Sequence, residues 1–334
     1  MIARVSWNER AGGGRLVADV TSLIGQLPAE DLIDRALDRA YAQALAVTDG
    51  GNSATYPVLA EADPGQFGLS LVSADGRVWE RGDAATPFAL MSAAKPFTFA
   101  LVCAHLGPQR ARRELGANAT ADAYNAVAPV LGGDGRTNPM VNAGAIATCS
   151  RLPGDTVEQK WEHLRAGLSV FAGRELDVDQ GLYDNVMATN VRNRELTAAL
   201  DDKGQLAADP EDALVLYSLQ SCLAVTAHDL AVMGATLADG GVNPLTREHV
   251  IASELCQPVL AVMATAGMYE RSGDWLYDVG LPGKSGIGGG IVTVSPGKAG
   301  LGFFSPPLDD AGNSVRGVRA ATLLAGELGL GLFG

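Results

Sequence analysis

Leu32, Ile33, Ala36, Leu37, Ala40, Tyr41 and Leu45 recur at helical spacing along an otherwise polar stretch, which predicts an amphipathic helix. Pro28-Ala29-Glu30-Asp31 suits its first turn, and the helix should run to about Val47, before Asp49-Gly50-Gly51-Asn52 breaks it. Residues Met1 to Gln26 contain glycines and read as irregular. Further on, Gln66 to Val72 and Arg77 to Glu80 flank Ser73-Ala74-Asp75-Gly76 and read as two strands joined by a short turn. From Pro108 to about Leu255 the spacing is mostly helical, with long apolar stretches at Thr156 to Phe171 and Leu214 to Ala238. Glycine and proline punctuate them at 132–135, 138–139 and 240–244. After Tyr269 the pattern changes again. Ile291 to Val294, a Ser295-Pro296-Gly297 turn and Leu301 to Phe304 form a second hairpin signal, and Val315 to Leu328 reads as a closing helix. Strands near both ends with helices between them predict an α+β fold. One antiparallel sheet, built from the N- and C-terminal parts and flanked by helices, carries a helical region inserted between its halves. Residues 1–95 and 256–334 would form the sheet region and 96–255 the helical region, in one compact catalytic unit with the site between them.

Composition narrows the function classes. The chain has 334 residues, 47% of them hydrophobic, enough for a large core. Twenty-five basic against 38 acidic residues give a formal charge of −13, which opposes binding to nucleic acid or anionic membrane. Cys103, Cys149, Cys222 and Cys256 are widely spaced, without the clustering of a zinc site, and read as buried free thiols. No basic-then-apolar leader and no apolar run of roughly 20 residues is present. A cytoplasmic protein with no metal, nucleic-acid or membrane partner is expected.

The candidate chemistry centres on Ser92-Ala93-Ala94-Lys95. In a helix, side chains three apart are neighbours, so serine and lysine could share a proton. A lysine desolvated among apolar neighbours can activate a serine for attack on a carbonyl carbon. Such a pair needs an oxyanion site, and Lys284-Ser285-Gly286 beside the Ile291 to Val294 strand is a plausible partner. A phosphate loop fits this segment poorly, because Asp278 stands where the first glycine of GxxxxGK[ST] is required. An early SxxK with a late K[ST]G opening a final hairpin is the arrangement of serine β-lactamases and penicillin-binding proteins.

A closer match follows. Asn138 to Ile146, Arg192-Asn193-Arg194, Asp229 to Met233, Gly267-Met268-Tyr269, Gly283 to Ile291, Ser305 to Leu308 and Gly312-Asn313-Ser314 together resemble the serine-dependent glutaminase family, in order and near its spacing. The resemblance implies a β-lactamase/transpeptidase-like fold and hydrolysis of glutamine's side-chain amide without a cofactor. It implies a homo-oligomer, dimer or tetramer, acting on a small-molecule amide. Ser92 would be the nucleophile, Lys95 its base and Tyr269 a further proton-transfer group. Backbone N–H groups of Ser92 and Ile287 would form the oxyanion hole, and Tyr56, Asn142, Asn193 and Tyr217 would line the pocket.

Two of the family's substrate-contacting polar residues are replaced. Met91 stands where the family has a glutamine before the nucleophile, and Val186 where it has the glutamate that holds the α-ammonium. Losing one member of a buried charged pair costs about 2–5 kcal/mol, which demotes free glutamine. The expected substrate is a glutamine-like amide whose α-amine is absent, acylated or otherwise uncharged. Other readings are an ordinary glutaminase in which another acid replaces the lost contact, Asp184 being close in sequence, and a non-catalytic or acyl-transferring descendant. Nearby, Ala93 and Ala94 replace bulkier or polar residues, and Pro96 requires the helix to begin close to Ser92 or be distorted there. Ser221-Cys222 reverses the family's Cys-Ser order and reads as repacking of the interior.

Overall fold

The computed structural model describes residues 25–120 and 122–333. The stretch expected to be irregular, Met1 to Gln26, lies outside them up to residue 24. The first helix forms as the spacing requires, over Glu30–Leu45, and buries Ile33, Ala36, Leu37, Ala40 and Ala44. Strands β1 (Gly68–Ser73) and β2 (Val78–Gly82) make the first hairpin. Two short strands, β3 (Phe88–Ala89) and β4 (Ala224–Val225), pair with each other outside the main sheet. The C-terminal part adds β5 (Gly283–Ser285), β6 (Gly290–Ser295) and β7 (Ala299–Phe304).

The main sheet runs β2-β1-β7-β6-β5, with every neighbouring pair antiparallel. β1 joins β7 with Leu69 opposite Phe303 and Leu71 opposite Leu301, so the two ends of the chain are closed into one sheet. On one face, Glu30–Leu45 and Val315–Glu327 cover Leu69, Leu71, Leu301 and Phe303 with Ile33, Leu37 and Leu324. On the other lies Ala227–Ala238, whose backbone approaches so closely that a Cβ on Gly302 would stand 2.0 Å from the Ala227 carbonyl oxygen. Only glycine fits there.

The helices Lys95–Leu106, Asn142–Cys149, Val157–Ala172, Val191–Asp202 and Pro210–Ser221 share a second core containing Phe97, Ile146, Leu168, Phe171, Leu196 and Leu216. The stretch expected to be continuously helical, Leu214 to Ala238, is broken by β4. Thr226 starts a new helix there: its side chain accepts from the Asp229 N–H while the Asp229 carboxylate accepts from the Thr226 N–H. All four cysteines are buried and unpaired. Among the described residues, no helix is long and apolar enough to cross a membrane.

Candidate active site

Ser92 lies in a short 3-10 turn, Met91–Ala94, that continues into the helix Lys95–Leu106. In a 3-10 turn residues three apart eclipse, so the Ser92 and Lys95 side chains leave the backbone on one side. Pro96 costs nothing in this position, because the first turn of a helix does not use its N–H. Met91 sits at φ 46, a left-handed conformation that a long side chain adopts only when its surroundings hold it there. They do so through the Leu90 N–H, which donates to the Leu223 carbonyl at 2.9 Å beside the β3–β4 pair.

Lys95 is buried, 2% exposed, and has no carboxylate partner among the described residues. Its Nζ donates to Asn142 Oδ1 at 2.7 Å and to the Met140 carbonyl at 3.3 Å. Burial pulls its pKa down to about 7 against a smaller opposing pull from Cys149. A neutral amine with two hydrogens so committed keeps a lone pair free to take a hydroxyl proton. Tyr269, also in a left-handed conformation at φ 54, donates from its hydroxyl to the Ser285 carbonyl at 3.0 Å. Burial raises its pKa, the neighbouring Tyr124 adds to this, and a hydrogen bond with the Ser92 side chain works against it. Lys284, fully buried on β5, lies 4.1 Å from the centre of the Tyr269 ring and donates to the carbonyls of Gly267 and Ser285. Burial, helped by the charge of Lys95, holds its pKa well below the usual lysine value.

The turn after β5 packs on the turn that holds Ser92. A Cβ on Gly286 would come 3.0 Å from the Leu90 carbonyl oxygen and 3.3 Å from the Ala93 nitrogen. Within this turn the Gly286 and Gly289 N–H groups are used internally, while Ile287 N–H has no acceptor among the described residues. It is therefore available to a developing oxyanion.

A cavity of about 130 Å³ opens beside Ser92 and is lined by Tyr56, Met91, Ser92, Asn142, Val186, Asn193, Tyr217 and Ile287. All these residues were singled out in the sequence; Lys95 and Tyr269 stand behind the wall. The lining also includes Tyr124, Asn190 and Ser218, which sequence reasoning missed, and Arg192 and Ser221, which it named only within a motif and a reversed pair. Motif spacing gives no signal for Tyr124 or Ser218. Asn190 lies three residues before Asn193, at the start of Val191–Asp202.

The glutaminase family's sequence profile matches residues 50–333. The chain belongs to the glutaminase family. It is 51% identical over 310 residues to Glutaminase 2 of Yersinia pestis, spanning 92% of this chain and 91% of that one. The glutaminase of Brucella canis is 43% identical over 304 residues, 91% of this chain and 96% of that one. Among solved structures, the probable glutaminase ybaS superposes with a TM-score of 0.90 at 38% identity, covering 92% of this chain and 99% of that one. A probable glutaminase from Bacillus subtilis, complexed with 6-diazo-5-oxo-L-norleucine, gives 0.78 at 28%, over 91% and 95%. This glutaminase-family protein is thus a hydrolase of an amide C–N bond, and its helix-flanked antiparallel sheet is a β-lactamase-like fold.

Where this glutaminase-family chain departs from the pattern, the changed residues meet. Met91, Val186, Tyr56, Leu59, Leu182 and Cys222 form one apolar cluster at the pocket wall. The reversed Ser221-Cys222 pair is divided between two surroundings: Cys222 packs in that cluster, whereas Ser221 lines the cavity and donates to the Tyr217 carbonyl. Asp184, the acid expected near Val186, lies apart from the cavity. It is exposed, accepts from Gln180 and is absent from the lining.

Proposed function

We propose that the protein hydrolyses a glutamine-like side-chain carboxamide through an acyl-serine intermediate and favours substrates without a charged α-amine. The observation that carries the preference is the lining itself. Of the described residues that line the cavity, none is Asp or Glu, Arg192 alone is charged, and Met91 and Val186 make part of the wall apolar. An ammonium group brought there would lose its hydration and gain no carboxylate. A substrate carboxylate has Arg192 and the neutral donors Asn142, Asn193 and Tyr217 within the same lining.

In this reading the sheet region and the helical region act as one catalytic unit, with the cavity between them. Neutral Lys95 takes the proton of Ser92 as Oγ bonds to the amide carbon, and the N–H groups of Ser92 and Ile287 receive the oxyanion. The C–N bond then breaks. Tyr269 passes a proton to the departing nitrogen, which leaves as ammonia, and the proton on Lys95 restores Tyr269. Water, deprotonated by Lys95, attacks the ester carbon, the C–Oγ bond breaks, and Lys95 returns the proton to Ser92 Oγ as the acid is released.

Glutaramate, which is glutamine without its α-amine, is the test substrate. Acid-quenched mass spectrometry during turnover should find a glutaryl group on the peptide containing Ser92, absent in Ser92→Ala. Release of ammonia at the parental rate by Ser92→Ala would refute the acyl-serine mechanism.

A further inference from the structure

Three buried carboxamides stand in a row along the pocket wall. Lys95 Nζ donates to Asn142 Oδ1 at 2.7 Å, Asn142 Nδ2 to Asn193 Oδ1 at 3.0 Å, and Asn193 Nδ2 to Asn190 Oδ1 at 2.6 Å. Asn190 Nδ2 ends the row by donating to Ser218 Oγ at 3.3 Å. All three amides are buried. The direction of the row follows from donor chemistry: an ammonium has no acceptor, so Asn142 must turn its oxygen to Lys95, and each later amide must then present its oxygen to the one before. Asn142 alone could rotate by half a turn and offer its NH₂ to the lysine. The Asn190 oxygen, which accepts from Asn193, makes that rotation expensive, because Asn142 and Asn193 would be left facing oxygen with oxygen.

We propose that Asn190 is a positioning residue for the base: acting through Asn193 and Asn142, it holds the amide oxygen that Lys95 faces and so leaves the lysine lone pair for Ser92. The inference rests on the acyl-serine reading above. Asn190 caps the start of Val191–Asp202 in sequence, but its side chain does no capping. It is spent on the row.

Other titratable groups face Lys95. Cys149 lies on the helix that carries Asn142, Tyr217 has its ring 5.8 Å from Nζ, and Lys284 on β5 and Tyr269 complete the surroundings. Burial raises the thiol and both phenols, so they stay neutral where Lys95 titrates. Lys284 has no bond to the row, so its titration is common to all variants compared.

The experiment measures labelling of Ser92 by a fluorophosphonate against pH, in the parent, Asn190→Leu and Asn190→Asp. Aspartate keeps the acceptor for Asn193, and Ser218 can rotate to donate to it. Its charge favours the ammonium, so the pH of half-maximal labelling should rise by about one unit. Leucine removes the acceptor, and the half-maximal pH should fall while the plateau rate drops about ten-fold, from the misoriented base. Shifts in opposite directions are not produced by a general loss of stability. The same half-maximal pH and plateau in all three proteins would overturn the role of Asn190 alone. No labelling of the parent would overturn the acyl-serine reading and this inference with it.

Discussion

Lys95 carries two consequences that can be measured separately. As a base it must be neutral, and its pKa is drawn down to about 7 by burial. The kcat/KM for a glutamine-like amide should therefore rise tenfold per unit below about pH 7 and level above it. A flat profile between about pH 5.5 and 8 would contradict this. The same depression acts on stability. Between about 7 and the ordinary lysine value of 10.5, the unfolded chain holds a proton at this site that the folded chain does not. Stability from this group therefore rises with pH across that window, by about 1.4 kcal/mol per unit, and is least below it. Lys95→Met should remove that slope, so that its stability relative to the parent is greatest near neutral pH and declines toward pH 10. Chemical denaturation over that range is the check. The Ser92–Lys95 pair was legible in the sequence because both residues lie in one turn. The amide row was not, since Asn142 lies on one helix and Asn190 and Asn193 at the start of another, and the two meet with Lys95 only through hydrogen bonds formed on folding.

At the scale of elements, the close contact of β7 with Ala227–Ala238 is the sharpest constraint. Gly302→Ala would drive a methyl into the Ala227 carbonyl and the Ala231 nitrogen, both backbone atoms that have no rotamer to yield. The cost should be at least about 1–3 kcal/mol, read as a lowered denaturation midpoint with an unchanged slope. A variant as stable as the parent would show that the helix and sheet are less tightly apposed. Both hairpins were legible from their apolar runs and turns, and the first and last helices from their spacing. The break at 222–226 was hidden because apolar residues continue on both sides of it: Ala213 and Leu216 before it and Leu230 after it feed the helical core, while Ala231 and Val232 pack with Val72 of the sheet. The Thr226–Asp229 capping pair was its only local sign. The β3–β4 pairing, which anchors the turn of Ser92, joins residues too distant in sequence for local pattern to reveal.

For the whole molecule, the fold and the membership in an amide-hydrolysing family agree with what the motifs implied, and the replaced residues define what is particular to this chain. Met91, Val186 and Cys222 are remote from one another in sequence yet share one apolar cluster. Ser92, Lys95, Tyr269 and the amides meanwhile keep an arrangement suited to acyl transfer. In the proposed reading, chemistry and substrate preference are set by different side chains. The central claim is tested most directly by kcat/KM for L-glutamine and for glutaramate, measured side by side in the parent and in Met91→Gln/Val186→Glu. The parent should favour glutaramate by at least about 30-fold, which corresponds to the lower end of the 2–5 kcal/mol lost with a buried charge partner. The double variant should reverse that order. A parent that turns over L-glutamine as well as glutaramate would contradict the account.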